Sequence, residues 1–300
     1  MATLKALRTR IGSVSSSEKI TGAMKMISSA KVHKNEMELK RLLPFRSQVD
    51  SIMGHLLATG LEFNSPLITK REVKHSVIVV FGSDDGLCGA YNINIFKYLL
   101  TRLREQREEN PKAEITVIPV GKKIANATKK LEVPGVTVEL PGEGIDSKMA
   151  PQKVNEFTEG LREKFSDGTY DQVQTVYMRF ISMSKQRPTF ETLFPVSPEV
   201  ATRGEGAAEK DKKDDNKFYL FEPDPDSIFN EVLPMFVLST MQEIAIENRA
   251  SEQAARVMAM QSANDNAKKL LEELQLEYNK LRQQAITTEL LDILGGQTER

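Results

Sequence analysis

The stretch Val257-Met-Ala-Met260-Gln-Ser-Ala-Asn264-Asp-Asn-Ala267-Lys-Lys-Leu-Leu271-Glu-Glu-Leu274-Gln-Leu-Glu-Tyr278-Asn-Lys-Leu281-Arg-Gln-Gln-Ala285-Ile-Thr-Thr288 sets its numbered residues at alternating spacings of three and four. That alternation is the seam of a left-handed coiled coil. No Gly or Pro interrupts the chain between Pro234 and Gly295. The helix predicted from about Pro225 to Gly295 is therefore roughly 100 Å long at 1.5 Å per residue. A seam needs a partner, and the other long helical pattern lies at the opposite end, from Thr3 to about Thr59. There Leu7, Ile11 and Val14 form one apolar run, and Ile20, Met24 and Ile27 another. Two such helices pair only if the chain leaves one, builds something else and returns, so the middle is an insertion.

The middle has its own signals. Ser76–Gly82, Glu114–Val120, Val136–Leu140 and Gln172–Phe180 read as strands, and Ile93–Glu109, Lys122–Lys130 and Ala150–Phe165 as helices. Alternating strands and helices imply a largely parallel sheet, with Thr189–Pro195 as an added edge strand. Thr202–Lys217 is charged and poor in apolar residues, as disordered linkers are. Phe218–Phe221 reads as a short strand, and Glu222-Pro223-Asp224-Pro225 opens the last helix with a capping Asp and a Pro in its first turn. The chain thus reads as α/β: a long antiparallel coiled coil of the N- and C-terminal helices with an inserted Rossmann-like α/β domain. Its expected parts are an N-terminal helix over 1–60, a globular domain over 61–201, a charged linker and short strand over 202–224, and the C-terminal helix over 225–300. Pro44 is expected to kink the first helix.

Composition narrows the function. At 300 residues, 40% hydrophobic and 28% charged, without Trp, the chain suits an elongated, water-exposed helical protein. Its formal net charge of −1 gives no overall nucleic-acid signature, but the first 34 residues set Lys5, Arg8, Arg10, Lys19, Lys25, Lys31 and Lys34 against Glu18 alone. That end should seek an acidic partner. One cysteine, Cys88, excludes an intrachain disulfide and suits a reducing compartment, and His33, His55 and His75 lack metal-ligand spacing. The longest apolar run in the middle, Val77–Phe81, is too short to span a bilayer, and the N-terminus has no apolar signal core.

The strongest chemical motif is Gly82-Ser-Asp-Asp-Gly86-Leu-Cys-Gly89, placed after a buried strand where α/β sheets commonly hold phosphates. Its spacing is neither a dinucleotide fingerprint nor a P-loop, and Asp84 and Asp85 would repel phosphate. A tight turn using glycine's freedom is the competing reading. A metal at the two aspartates lacks further nearby ligands, and Cys88 lacks a paired His or resolving Cys. No cofactor is expected. An α/β nucleotide-dependent enzyme with a coiled-coil arm, and a coiled-coil scaffold or polyanion binder, are the two rivals to a mechanical role.

Taken together, Arg10-Ile-Gly-Ser-Val14, Lys19-Ile-Thr-Gly-Ala-Met-Lys-Met26, Asp85-Gly-Leu-Cys-Gly89, Ser251-Glu-Gln-Ala-Ala-Arg-Val-Met-Ala-Met260, Leu274-Gln-Leu-Glu-Tyr-Asn279 and Ile286-Thr-Thr-Glu-Leu290 resemble the gamma subunits of F-type ATP synthases. The resemblance covers nearly the whole chain. It implies a noncatalytic central shaft whose coiled coil stands inside a ring of three alpha and three beta subunits and whose globular foot binds epsilon and the c-ring. It implies no nucleic-acid partner, contact with a membrane only through partners, and a place on the cytoplasmic face of the bacterial inner membrane. Matched residue by residue, it implies that Met24 and Lys25 couple to an acidic lever of beta, and that the loop at Cys88 passes near those levers. It also implies that Arg256, Arg282, Gln283, Thr287 and Glu289 meet the first helix or grip a beta loop, with Arg282 as a charged latch, and that Tyr219 and Glu222 face epsilon and the c-ring. Asp85 stands where that family usually has a basic residue.

Overall fold

The computed structural model describes residues 3–58, 61, 63–131, 133–197 and 221–298. The expected strand Phe218–Phe221 lies outside these except for Phe221, which is in no strand; the charged segment Thr202–Lys217 lies wholly outside them. In chain order the elements are α1 (Leu4–Ala58), β1 (His75–Phe81), α2 (Tyr91–Glu109), β2 (Glu114–Val120), α3 (Lys122–Thr128), β3 (Val136–Val138), α4 (Pro151–Ser166), β4 (Gln172–Ser182), β5 (Lys185–Phe194) and α5 (Pro225–Thr298). Pro44 lies inside α1 and Pro234 inside α5. The start of α5 follows the sequence signal: Asp224 accepts hydrogen bonds from the Ser227 N–H at 2.9 Å and from its Oγ at 2.7 Å, and Pro225 needs no donor there. The chain divides into two compact units, Ala30–Ala255 and the pair of segments Met1–Ser29 and Arg256–Arg300.

The larger unit is built on a five-stranded sheet in the order β3-β2-β1-β4-β5. All neighbours are parallel except β4 and β5, an antiparallel hairpin whose β5 forms one edge. The central strand β1, HSVIVVF, is buried from Ser76 to Phe81, as a β-branched run covered on both faces must be. Side-chain alternation then splits the core. Val77, Val79 and Phe81 pack with α4 residues Val154, Leu161 and Phe165, with Met53 and Leu56 of α1, and with Phe229, Leu233 and Met241 of α5. Ile78 and Val80 pack on the other face with Ile95, Leu99 and Leu103 of α2 and Ile124 of α3. Gly82 and Gly121 let the ends of β1 and β2 meet. A Cβ at Gly82 would stand 2.5 Å from the Ile124 Cβ, and Gly121 has φ 120° with the Ser83 carbonyl against it.

The smaller unit is an antiparallel pair of helical segments. Lys25 Nζ donates to Gln261 Oε1 at 2.8 Å, and Asn264 Nδ2 donates to the Glu18 carbonyl at 2.7 Å, so numbering falls along α1 as it rises along α5. Leu7, Met260 and Leu274 are buried in it, and Leu271, Tyr278 and Leu281 are half-buried. The predicted seam holds on α5 as far as Leu281; Ala285 and Thr288 are exposed. On α1 the apolar run Ile20-Met24-Ile27 is not the packed face. Ile20 is 59% and Ile27 56% exposed, Met24 is half-buried, and the partner-facing residues are instead Glu18, Thr21, Gly22, Lys25 and Ser28. The reason lies across the pair: Asn264 at a seam position demands polar and small groups opposite it, and a Cβ on Gly22 would already sit 3.4 Å from Asn264 Nδ2.

Candidate functional site

The expected contact residues fall into three groups. In the helical pair, Lys25 spends its ammonium on Gln261, whose Nε2 in turn donates to both Asp265 carboxylate oxygens at 2.9 and 2.8 Å. The side chain presented to solvent beside it is Met26, 70% exposed. Arg256 is buried. Arg282, Gln283, Thr287 and Glu289 are all exposed, and Thr287 Oγ1 donates to the Gln283 carbonyl one turn back at 2.9 Å. Among the described residues Arg282 makes no ion pair. Ile286, Leu290, Leu291 and Ile293 around it are also exposed.

The second group is the loop Gly82–Gly89. Asp84 is buried, and its carboxylate accepts from the Lys122 N–H that opens α3 at 3.0 Å, from the Ser147 N–H at 3.1 Å and from Ser147 Oγ at 2.7 Å. The chain thus fills with its own anion the helix start that a phosphate would use in a nucleotide-binding sheet. Asp85 accepts from Lys148 Nζ at 2.6 Å, and this hydrogen bond is the main cause that holds the Lys148 ammonium pKa above its ordinary value. Cys88 is buried, its Sγ 3.5 Å from Asn92 Nδ2 and 3.8 Å from Ser83 Oγ. The loop displays Leu87 instead, 60% exposed at φ 63°, a conformation that L residues seldom adopt outside glycine. Leu87 is absent from the sequence-level contact set, and its signal was the flanking Gly86 and Gly89. The third group is barely visible: Tyr219 lies outside the described residues, and Glu222 is exposed in the bend before α5.

A polar cluster that no motif announced lies in the larger unit, beside a cleft of about 1410 Å³ between α1, α5 and the β4–β5 hairpin. Arg46 donates to Asp50 at 3.1 Å and to Glu243 at 2.8 Å while its guanidinium sits 5.0 Å above the Phe236 ring. Glu247 faces Arg179 at 3.6 Å, and Tyr177 donates to Glu191 at 3.2 Å. Burial is the largest influence on each shifted acid. It raises Asp50 and Glu243 above their ordinary values, against the pull of Arg46, and pushes Glu247 up to about 8, against Arg179. Glu243 and Glu247 at i and i+4, on a helix face carrying Phe236, Thr240 and Ile244, were the sequence signal. Among the described residues no group of three or more His, Cys, Asp or Glu is placed to hold a metal ion, and no helix is long and apolar enough to cross a membrane.

A family model described as ATP synthase matches residues 3–298. The ATP synthase gamma chain of Bacteroides thetaiotaomicron is 38% identical over 302 residues, covering 99% of each chain, and that of Phocaeicola vulgatus is 39% identical over 298 residues with the same coverage. Among solved structures, a chain of the Euglena gracilis mitochondrial ATP synthase (OSCP/F1/c-ring, rotational state 3) superposes with a TM-score of 0.59 at 22% identity, over 98% of this chain and 93% of that one. A chain of the Tetrahymena thermophila mitochondrial ATP synthase central stalk and c-ring gives 0.56 at 19%, over 81% and 99%. At those identities the two structures establish the shared fold.

Proposed function

The chain belongs to the ATP synthase gamma-chain family, and from that premise we infer that it is the central shaft of an F-type ATP synthase. The observation that carries this reading is 38–39% identity to gamma chains over 99% of the sequence. The chain supplies no catalysis. Its partners are the alpha and beta subunits, which hold the catalytic sites, and epsilon and the c-ring at its foot. It works by differential contact. An asymmetric helical pair turning inside a ring presents a different face to each beta subunit, and a ligand shifts a conformational equilibrium only by its unequal affinity for the two states. The unequal faces of α1, with Ile20, Met26 and Ile27 exposed on one side and polar groups on the other, suit that task.

The contact assignments are proposals of the same reading. Arg282, with Gln283, Thr287 and Glu289, meets a beta loop. Met24 and its exposed neighbour Met26 face a beta lever, with Lys25 held by Gln261, while Leu87 carries the contact for the loop around Cys88. Glu222 and Tyr219 lie toward epsilon and the c-ring. The chain is peripheral to the membrane, through its partners, on the cytoplasmic face of the bacterial inner membrane. The test is to co-purify a tagged chain from its native membrane and to assay ATP-driven ion pumping with and without it. Recovery of alpha and beta with pumping that requires the chain is the expected result. A chain recovered alone, binding nucleotide or polyanion, would replace the shaft with the enzyme or scaffold reading.

A further inference from the structure

Between Ile244 and Ala254, α5 is buried on nearly every side although it carries Glu247, Asn248, Ser251, Glu252 and Gln253. A helix saturates its own backbone, so only side chains can tie such a segment to a sheet by directional bonds. Asn248, 1% exposed, does so beside the Arg179–Glu247 ion pair. Its Oδ1 accepts from Tyr91 Oη at 2.7 Å and from the Met178 N–H at 3.4 Å, its Nδ2 donates to the Gly82 carbonyl at 3.1 Å, and its backbone carbonyl accepts from the same Tyr91 hydroxyl at 3.1 Å. One amide thus grips the start of α2, the end of β1 and the middle of β4. Two of its partners are backbone groups past the β1–β4 ladder, which runs from Ser76 opposite Gln172 to Val80 opposite Val176: the Gly82 carbonyl and the N–H of Met178, whose other neighbour is Pro188 of β5.

The apolar contacts of α5 with the sheet, through Phe236, Val237, Met241 and Ile244, hold the helix close but permit it to roll. The Asn248 bonds do not. One residue of helix is 100° of rotation, and a small fraction of that breaks hydrogen bonds at these distances. We propose that Asn248, gripped by Tyr91, Gly82 and Met178, is the positioning residue that keys α5 against rotation about its own axis in the α/β unit, so that torque applied to the foot reaches the helical pair. This rests on the shaft reading.

The test uses the assembled complex in inverted membrane vesicles, comparing Asn248→Leu and Tyr91→Phe with wild type. The readouts are the ratio of ATP-driven pumping to ATP hydrolysis and the melting temperature. Tyr91→Phe removes one oxygen and keeps the ring in place. The expected result is assembled Tyr91→Phe enzyme that hydrolyses ATP normally while its pumping ratio falls, by up to about fivefold, the largest change that one lost hydrogen bond can impose on the keyed fraction, with a larger fall for Asn248→Leu. A lower melting temperature with a wild-type ratio in Tyr91→Phe would overturn the proposal by leaving a purely structural role. Failure of Tyr91→Phe to assemble would do the same. If wild-type vesicles pump equally without this chain, the shaft reading fails instead.

Discussion

The side-chain amide of Asn264 donates to the backbone carbonyl of Glu18 at 2.7 Å, with Thr21 Oγ1 a further 3.3 Å contact. A polar residue at a coiled-coil seam fixes register at a cost in stability. Asn264→Leu should therefore leave the helical pair as stable as before, or more so, while permitting it to slip. Disulfide formation between cysteines placed at Lys25 and Gln261 reads this directly, because the one native cysteine is buried. The yield should drop in the Asn264→Leu background. An unchanged yield would show that Met260 and Leu274 suffice to set the register.

Stability should also depend on pH through Glu247, which lies among Arg46 and Asp50 of α1, Tyr177 and Arg179 of β4, Glu191 of β5 and Glu243 of α5. Its folded pKa, about 8, is above the ordinary 4.5. Between those values the folded chain holds a proton that the unfolded chain releases, so this contribution is complete below the unfolded pKa and is lost as pH rises through 8. Asp50 and Glu243 are shifted the same way. Glu247→Gln should flatten the melting temperature between pH 6 and 9 and should be more stable than wild type at the upper end, by about 1 kcal/mol or more. Parallel pH curves for the two proteins would refute this.

Much of the architecture was legible because it rests on periodicity. The spacings in α5 and the β-branched runs of β1 and β2 are local properties, and the order of elements follows from them. What failed was the face of α1. Ile20, Met24 and Ile27 have helical spacing, but Asn264 turns Thr21, Gly22, Lys25 and Ser28 toward the partner helix, and that choice is made by a residue 246 positions from Glu18. In the Asp50–Glu243–Glu247 cluster the i, i+4 pair on α5 was visible, but its meeting with Asp50 and Arg46 was hidden for the same reason, since those come from the opposite end of the chain. Asp84 was read as an obstacle to phosphate, but its positive role, accepting from Lys122 and Ser147, depends on loops that no spacing predicts.

That role makes Asp84 a test of the loop. Asp84→Ala leaves three donors without their acceptor and should destabilise the α/β unit by about 1–3 kcal/mol, whereas Asp84→Asn keeps one acceptor oxygen and should lose less. Denaturant unfolding of the two variants gives the comparison. Equal, negligible losses would mean that water replaces the carboxylate and that the loop is held by Ser83 and Asn92, whose side chains also bond each other at 2.7 Å.

Arg282 separates contact with partners from stability of the chain. It is exposed, with no ion pair among the described residues, so Arg282→Ala should change the stability of the isolated chain by no more than about 0.5 kcal/mol. In the complex, its planar fork of donors is suited to a carboxylate of beta. Coupled ATP synthesis by the Arg282→Ala enzyme should therefore fall, and Arg282→Lys, which keeps the charge but loses the fork, should recover only part of it. Synthesis at the wild-type rate in Arg282→Ala would remove the latch from the proposed contact set. Full recovery by Lys would leave charge alone, without bidentate geometry, as what the contact requires.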